Sequence, residues 1–344
     1  MDTQKIASRL DRAGSARITV FGDFALDKYL YIDPARDEPS VETGLTAYQV
    51  DRKRCSAGAA GTIVNNLRAL GAKVLCVGAI GNDGEGSELI QCLEKVGADA
   101  SRFVWTEDML TSTYVKPMRL QPDGSYQEMN RLDFRNFHEP SMDTQKKLIA
   151  NLEDALDQSD AVIVLDQFVQ RNMGTVTDFL RGELGRLAGA NSKKIFYADS
   201  RAFASEYRNM IVKCNNYEFM ALKGGDGDPE DEEAICRQAR RLEADGSCTY
   251  VVTRGSRGMM VFARGGMRSV PAFPVSGPVD IVGAGDAASA GLVLGLVLGL
   301  DMEEAATLAC CASSITIQQL GTTGTAGAAQ VKERLHETLR EESR

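Results

Sequence analysis

Short apolar runs of strand length alternate with segments of helical period along most of this chain, and no other feature restricts its possible folds as strongly. Residues 17–22 (RITVFG) open the series. Residues 59–70 follow, with Ile63, Leu67 and Leu70 on one helical face, then a second buried strand at 73–80 (KVLCVGAI) and a helix at 85–96. Runs at 161–165 (AVIVL), 194–198 (KIFYA), 211–213 and 249–253 (TYVVT) continue the pattern. Strands that are apolar on both faces have to be covered on both, so the pattern predicts an α/β fold: a doubly wound, mostly parallel sheet flanked by helices. The ligand of such a sheet lies beyond the carboxyl ends of its strands.

Two stretches interrupt the alternation. Residues 28–54 carry Pro34 and Pro39 in a mixed polar pattern, and 111–134 reads as two strands joined around the turn Pro122-Asp123-Gly124. Both are expected to leave the main layer as a small β-rich flap on a single domain spanning 1–344. No Pro/Ser-rich linker or internal repeat divides the chain, and 344 residues are ample for one core.

Composition removes several functions. With two His, and eight Cys that form no Cys-x-x-Cys pair, neither a zinc ribbon nor a redox dithiol is spelled out. A formal charge of -9 argues against general affinity for nucleic acid or anionic membrane. The longest apolar run, 287–300, is shorter than the ~20 residues of a membrane-spanning helix, and the start, MDTQK, lacks the apolar core of a signal peptide. A cytoplasmic enzyme with reduced thiols is expected, with no nucleic-acid or membrane partner.

The sharpest local signal is Pro278-Val279-Asp280-Ile281-Val282-Gly283-Ala284-Gly285-Asp286, which opens directly into a small and apolar helix. A glycine-rich turn at a helix start aims successive backbone N–H groups and the positive end of the helix dipole at one point. Asp286 places a carboxylate beside that anion hole. The pairing suits phosphoryl transfer, with one group taking a proton from the attacking hydroxyl and the N–H groups holding the moving phosphoryl. Residues 283–288 also fit the loose dinucleotide pattern G-x-G-x-x-[GA], with Asp301 as the ribose acid, but a helical segment follows where a strand is needed. A packing role explains Gly291, Gly295 and Gly299, spaced four apart, and leaves the Asp-flanked turn unexplained.

No Walker A sequence occurs, so ATP, if used, is bound by another architecture. The run from Asp280 to Asp286 resembles the DTxGAGD signature of the ribokinase-like (PfkB) sugar kinases, and the resemblance extends over roughly residues 17–330. Within that group the chain looks most like the kinase domain of the bacterial heptose-phosphate enzymes of ADP-heptose synthesis. The segments that carry this are Phe21-Gly22-Asp23-Phe24-Ala25-Leu26-Asp27-Lys28-Tyr29, Asn130-Arg131-Leu132-Asp133-Phe134 and Leu320-Gly321-Thr322.

The resemblance implies ATP-dependent phosphorylation of a sugar or sugar-phosphate hydroxyl, with a heptose phosphate as the named candidate. Asp286 then matches the general base, and Gly283, Ala284 and Gly285 the anion hole. Asn215-Asn216-Tyr217-Glu218 matches an N-x-x-E motif that organises Mg²⁺ and phosphate, with Glu218 acting through metal-bound water. Thr253, Gly255 and Gly258 match a T-x-G-x-x-G nucleotide loop, and Asp280 joins them on the nucleotide side. On the acceptor side Asp27 matches a carboxylate for sugar hydroxyls, with Asp23 nearby and Gly58 as the second glycine of a substrate-proximal pair. Lys116, Arg119 and Arg131 are cations suited to a sugar's existing phosphate. Gly321 stands where relatives place a monovalent-cation loop, for an ion such as K⁺, and exposed flap edges suit a homodimer.

The chain departs from the group's pattern in three places. Ala57-Gly58 and Gly61 replace Gly-Gly and a sugar-touching Asn, Val282 stands where Thr is common, and Cys310 where Asn is frequent. The alternative to a kinase is a catalytically silent sugar- or nucleotide-binding protein on the same scaffold.

Overall fold

The computed structural model describes residues 2–243, 248–263 and 266–342. Its main sheet has eight strands in the order Gly266–Val270, Met259–Ala263, Cys248–Thr253, Met210–Asn215, Ile195–Ser200, Ala161–Asp166, Arg17–Gly22 and Lys73–Val77. Pairings from Cys248–Thr253 through Lys73–Val77 are parallel, and the remaining two are antiparallel. This is the expected doubly wound architecture.

Burial shows why. Every residue of Ala161–Asp166 is buried, with Ile163 and Leu165 in one apolar core and Val162 and Val164 in the other. Helices Ala60–Ala69, Ala284–Val297 and Met302–Thr316 cover the first face, and Met142–Leu156, Asp178–Ala190 and Glu232–Glu243 the second. The helix Ala284–Val297 is apolar all round because it lies between the sheet and Met302–Thr316. Cβ atoms at Gly291 and Gly295 would lie 2.9 and 3.0 Å from the Cα atoms of Ala309 and Ala305, so these two glycines let the helices approach. Gly299 differs: at φ +79 it follows the C-cap residue Leu298 and ends the helix.

The expected strand 73–80 breaks at Gly78. A Cβ there would stand 2.7 Å from Phe24 and 3.0 Å from Phe103, whose rings meet edge-on at 4.8 Å. The chain leaves the main sheet at this pinch, and Ala79–Gly81 pairs with Val104–Thr106 instead.

A second sheet takes the order Tyr126–Glu128, Thr113–Leu120, Phe24–Ile32 and Val50–Ala59, with Leu132–Phe134 also pairing to Thr113–Leu120. Its first strand opens at Phe24, so Asp27 belongs to this sheet and not to the end of the first main strand. The turn after Leu120 closes through Gln121 N–H to Ser125 O (2.8 Å) and Gly124 N–H to Gln121 O (3.0 Å). Among the described residues no helix is long and apolar enough to cross a membrane.

Candidate active site

Gly283 precedes the helix Ala284–Val297 at φ 83, a left-handed conformation that suits glycine, and no side chain caps the helix there. The Ala284 N–H is taken by the Ile281 carbonyl (3.1 Å). Those of Gly283 and Gly285 have no protein acceptor among the described residues, so two of the three donors expected of an anion hole are unpaired. Asp286 sits in the first turn. Burial, then the charge of Asp199, pushes its carboxyl up to about 7, against the opposing pull of Lys213 and Arg201.

Beneath that turn lies a group of polar side chains that the sequence reading missed. Lys213 Nζ donates to Asp199 Oδ2 at 2.6 Å, and Ser289 Oγ donates to the same oxygen at 3.2 Å while meeting Tyr197 OH at 2.9 Å. A Cβ at Gly285 would stand 2.9 Å from Lys213 Nζ, so the ammonium lies directly against the anion hole. Although burial pulls the lysine down, Asp199, with Asp286 and Glu218 farther off, holds it above the ordinary lysine range. The signal was present: Lys213 and Asp199 are charges near the carboxyl ends of apolar runs that form parallel strands.

An unfolded Asp titrates near 4, whereas Asp286 takes up its proton near 7. The folded chain therefore binds the extra proton between these values; this contribution to stability is full below about pH 4 and is lost as pH rises through about 7. Asp286→Asn is accordingly expected to gain stability relative to the parent as pH rises from about 5 to about 8. Urea melts at the two pH values check this, and an equal shift at both refutes it.

Of the residues expected on the nucleotide side, Asn215 and Glu218 form a reciprocal cap on Asn216–Ala221. Asn215 Oδ1 accepts the Glu218 N–H and Glu218 Oε2 accepts the Asn215 N–H, each at 2.8 Å. The cap holds Glu218 just beyond the strand that carries Lys213. Thr253 lies opposite Asn215 in the neighbouring strand, and its Oγ1 donates to Cys214 O at 3.4 Å. Gly255 and Gly258 shape the turn that follows, and at Gly258, with φ +82, a Cβ would run into Val270 O. Asp280 ties two loops together, accepting the Val282 N–H (3.1 Å) and the Gly321 N–H (3.2 Å).

Of the residues expected on the acceptor side, Asp27 is buried, and Lys116 Nζ donates to its Oδ1 at 2.6 Å and to Tyr29 OH at 3.2 Å. Gly58 leaves room for Asp27 Oδ2, which any Cβ there would strike. Asp23, expected near the sugar, is instead buried at the joint between the two sheets. Its carboxylate accepts the Gln167 and Thr175 N–H groups at 2.8 and 2.6 Å. Burial, then Asp166, pushes it up to about 7. Arg131, expected on a sugar's phosphate, gives its fork to Asp133 through bonds of 2.6 and 2.8 Å. Arg119 alternates to the opposite face of the strand from Lys116 and pairs with Asp37 at 2.6 Å.

The two sides meet where helices Ala60–Ala69 and Ala284–Val297 begin. A Cβ at Gly283 would lie 3.4 Å from Thr62 Cγ2 and 3.6 Å from Thr323 Cβ. The departure at 57–61 has a steric cause: a Cβ at Gly61 would stand 2.5 Å from the Ala57 methyl. The added methyl at 57 and the missing side chain at 61 occupy one space.

A family described as "pfkB family carbohydrate kinase" matches residues 16–328. The bifunctional protein HldE of Geobacter sulfurreducens is 27% identical over 324 residues, 94% of this chain and 64% of that protein. HldE of Bradyrhizobium sp. is 30% identical over 312 residues, 89% of this chain and 61% of its own. The chain thus spans less than two thirds of either relative. Phosphofructokinase-2 from Escherichia coli, solved in complex with potassium, superposes with a TM-score of 0.71 at 16% identity, covering 94% of this chain and 100% of that one. Arabidopsis thaliana ribokinase, complexed with ribose and ATP, gives 0.67 at 19% identity, covering 93% and 98%. Those two likenesses repeat the fold described above, and the family match extends over nearly all of both sheets: the chain belongs to the pfkB family of carbohydrate kinases.

Proposed function

We propose that this chain transfers the γ-phosphoryl group of ATP to a hydroxyl of a sugar or sugar phosphate. The observation that carries the reading is Asp286: a carboxyl pushed up to about 7, in the first turn of a helix whose leading N–H groups lack acceptors, with Lys213 against them. Asp286 takes the hydroxyl proton as the new O–P bond forms and the bond to the β-phosphate oxygen breaks. ADP leaves, and the Gly283 and Gly285 N–H groups with Lys213 hold the charge on the moving phosphoryl. Asn215, Glu218, Thr253, Gly255 and Gly258 border the nucleotide, while Asp27 and Gly58 face the acceptor.

Among the described residues no group of three or more His, Cys, Asp or Glu is arranged to hold a metal by itself. The single carboxylate of Glu218 suits Mg²⁺, which keeps most of its waters and binds chiefly through substrate phosphates; Glu218 would hold it through water. When bound, the ion neutralises phosphate charge. The ATP in the Arabidopsis ribokinase and the potassium in the bacterial phosphofructokinase support ATP and a K⁺ site near Gly321, and the HldE relatives favour a heptose phosphate as acceptor.

A coupled ADP-release screen over heptose phosphates, fructose phosphates, pentoses and nucleosides tests the reading. Sugar-dependent ADP release is expected, and ligand binding without release across the panel would replace it with the silent-scaffold alternative. Because Asp286 accepts a proton only when ionised, kcat/KM is expected to fall as pH drops through about 7; a flat profile from about pH 5 to about pH 8 contradicts the assignment. Val50–Ala59 is an edge strand whose outer residues are exposed, which supports a homodimer through this sheet. Monomeric mass by light scattering would reject it.

A further inference from the structure

We propose that Arg54 and Lys116 form a phosphate subsite for the acceptor, making a monophosphorylated sugar the preferred substrate class. The proposal rests on the sugar-kinase reading above. Strand register places Arg54, Tyr29 and Lys116 side by side in one cross-strand row of the second sheet. The Arg54 guanidinium lies 4.1 Å from the Tyr29 ring centre and the Lys116 ammonium 4.7 Å from it. Tyr29 is itself buried, so it is a fixed platform that holds two cations in place before any ligand arrives.

The adjacent row on the same face carries Asp27. Residues two apart along a strand are separated by about 7 Å, roughly the span of a sugar ring. A carboxylate for hydroxyls and the Arg54 guanidinium thus stand in rows about one sugar length apart, and Lys116 reaches between them, its ammonium 2.6 Å from Asp27 Oδ1. Asp27 balances only Lys116. Among the described residues Arg54 has no carboxylate partner, and its one polar neighbour, Thr322 Oγ1, is 3.5 Å away in the loop beside the anion hole. The row therefore keeps a net positive charge facing the acceptor, and an arginine fork suits a phosphate's geometry.

Steady-state kinetics with fructose and a fructose monophosphate, and with a heptose and its monophosphate, test the subsite. The parent protein is expected to prefer the phosphorylated member of each pair by about tenfold or more in kcat/KM. Arg54→Met should collapse that ratio through KM, and Arg54→Lys should restore part of it. Arg52→Met, one row farther out over Tyr31, should leave the ratio intact. The proposal is overturned if Arg54→Met keeps the ratio, if Arg52→Met lowers it equally, or if the parent shows no preference while turning over sugars. If no acceptor is turned over, the kinase reading has failed and the subsite is judged by thermal shift. A fructose monophosphate that stabilises the parent but not Arg54→Met upholds it, and no shift over fructose overturns it.

Discussion

Asp286→Asn is expected to lower turnover by about a hundred- to ten-thousandfold while ATP affinity stays within a few fold. Asparagine keeps the shape of the side chain and removes its capacity to take a proton. The residues proposed to border the nucleotide lie elsewhere, on the Asn215–Glu218 cap and the turn through Gly255 and Gly258. The loss should therefore fall on kcat rather than on nucleotide binding. Single-turnover kinetics beside equilibrium ATP binding read the two separately. Near-normal turnover would remove Asp286 as the base.

The second large effect is expected at Lys213. Its side chain and that of Asp199 are only 12% and 14% exposed, so Lys213→Met strands one carboxylate and leaves Asp286 beside it without their shared cation. Breaking such a pair from one side costs about 2–4 kcal/mol after allowance for partial exposure. Urea unfolding measures it. A double variant, Lys213→Met with Asp199→Leu, removes the stranded charge and should recover most of the stability without recovering turnover. Recovery of both would make the pair purely structural, and recovery of neither would show that the packing of Gly285 over Lys213 dominates.

Much of the main sheet was legible because its strands are buried on both faces: 161–165 and 249–253 read as continuous apolar runs, and such runs form parallel strands here. The break at Gly78 was not, since it depends on Phe24 and Phe103 arriving from distant parts of the chain. At the site, Asp286 and its glycines stand within a few residues of each other and are visible as a motif. The proposed acceptor side is assembled across strands. Which cation sits beside Asp27 is decided by register and by parity along Thr113–Leu120, so Lys116 and Arg119 look alike in sequence and point to opposite faces. Arg131 was unreadable for another reason: its fork is taken by Asp133, two residues on, a pairing that neither residue announces by itself. Arg54 carried no local signal, because its meaning comes from the tyrosine across the ladder.

The shared space at Ala57 and Gly61 also couples what the two positions can hold. Neither position is free to drift alone: a larger residue at 61 collides with the methyl at 57, and trimming 57 to glycine opens a void beside a bare helix start. The pair therefore acts as one steric unit. A side chain at 61 is admitted only where 57 gives up its methyl.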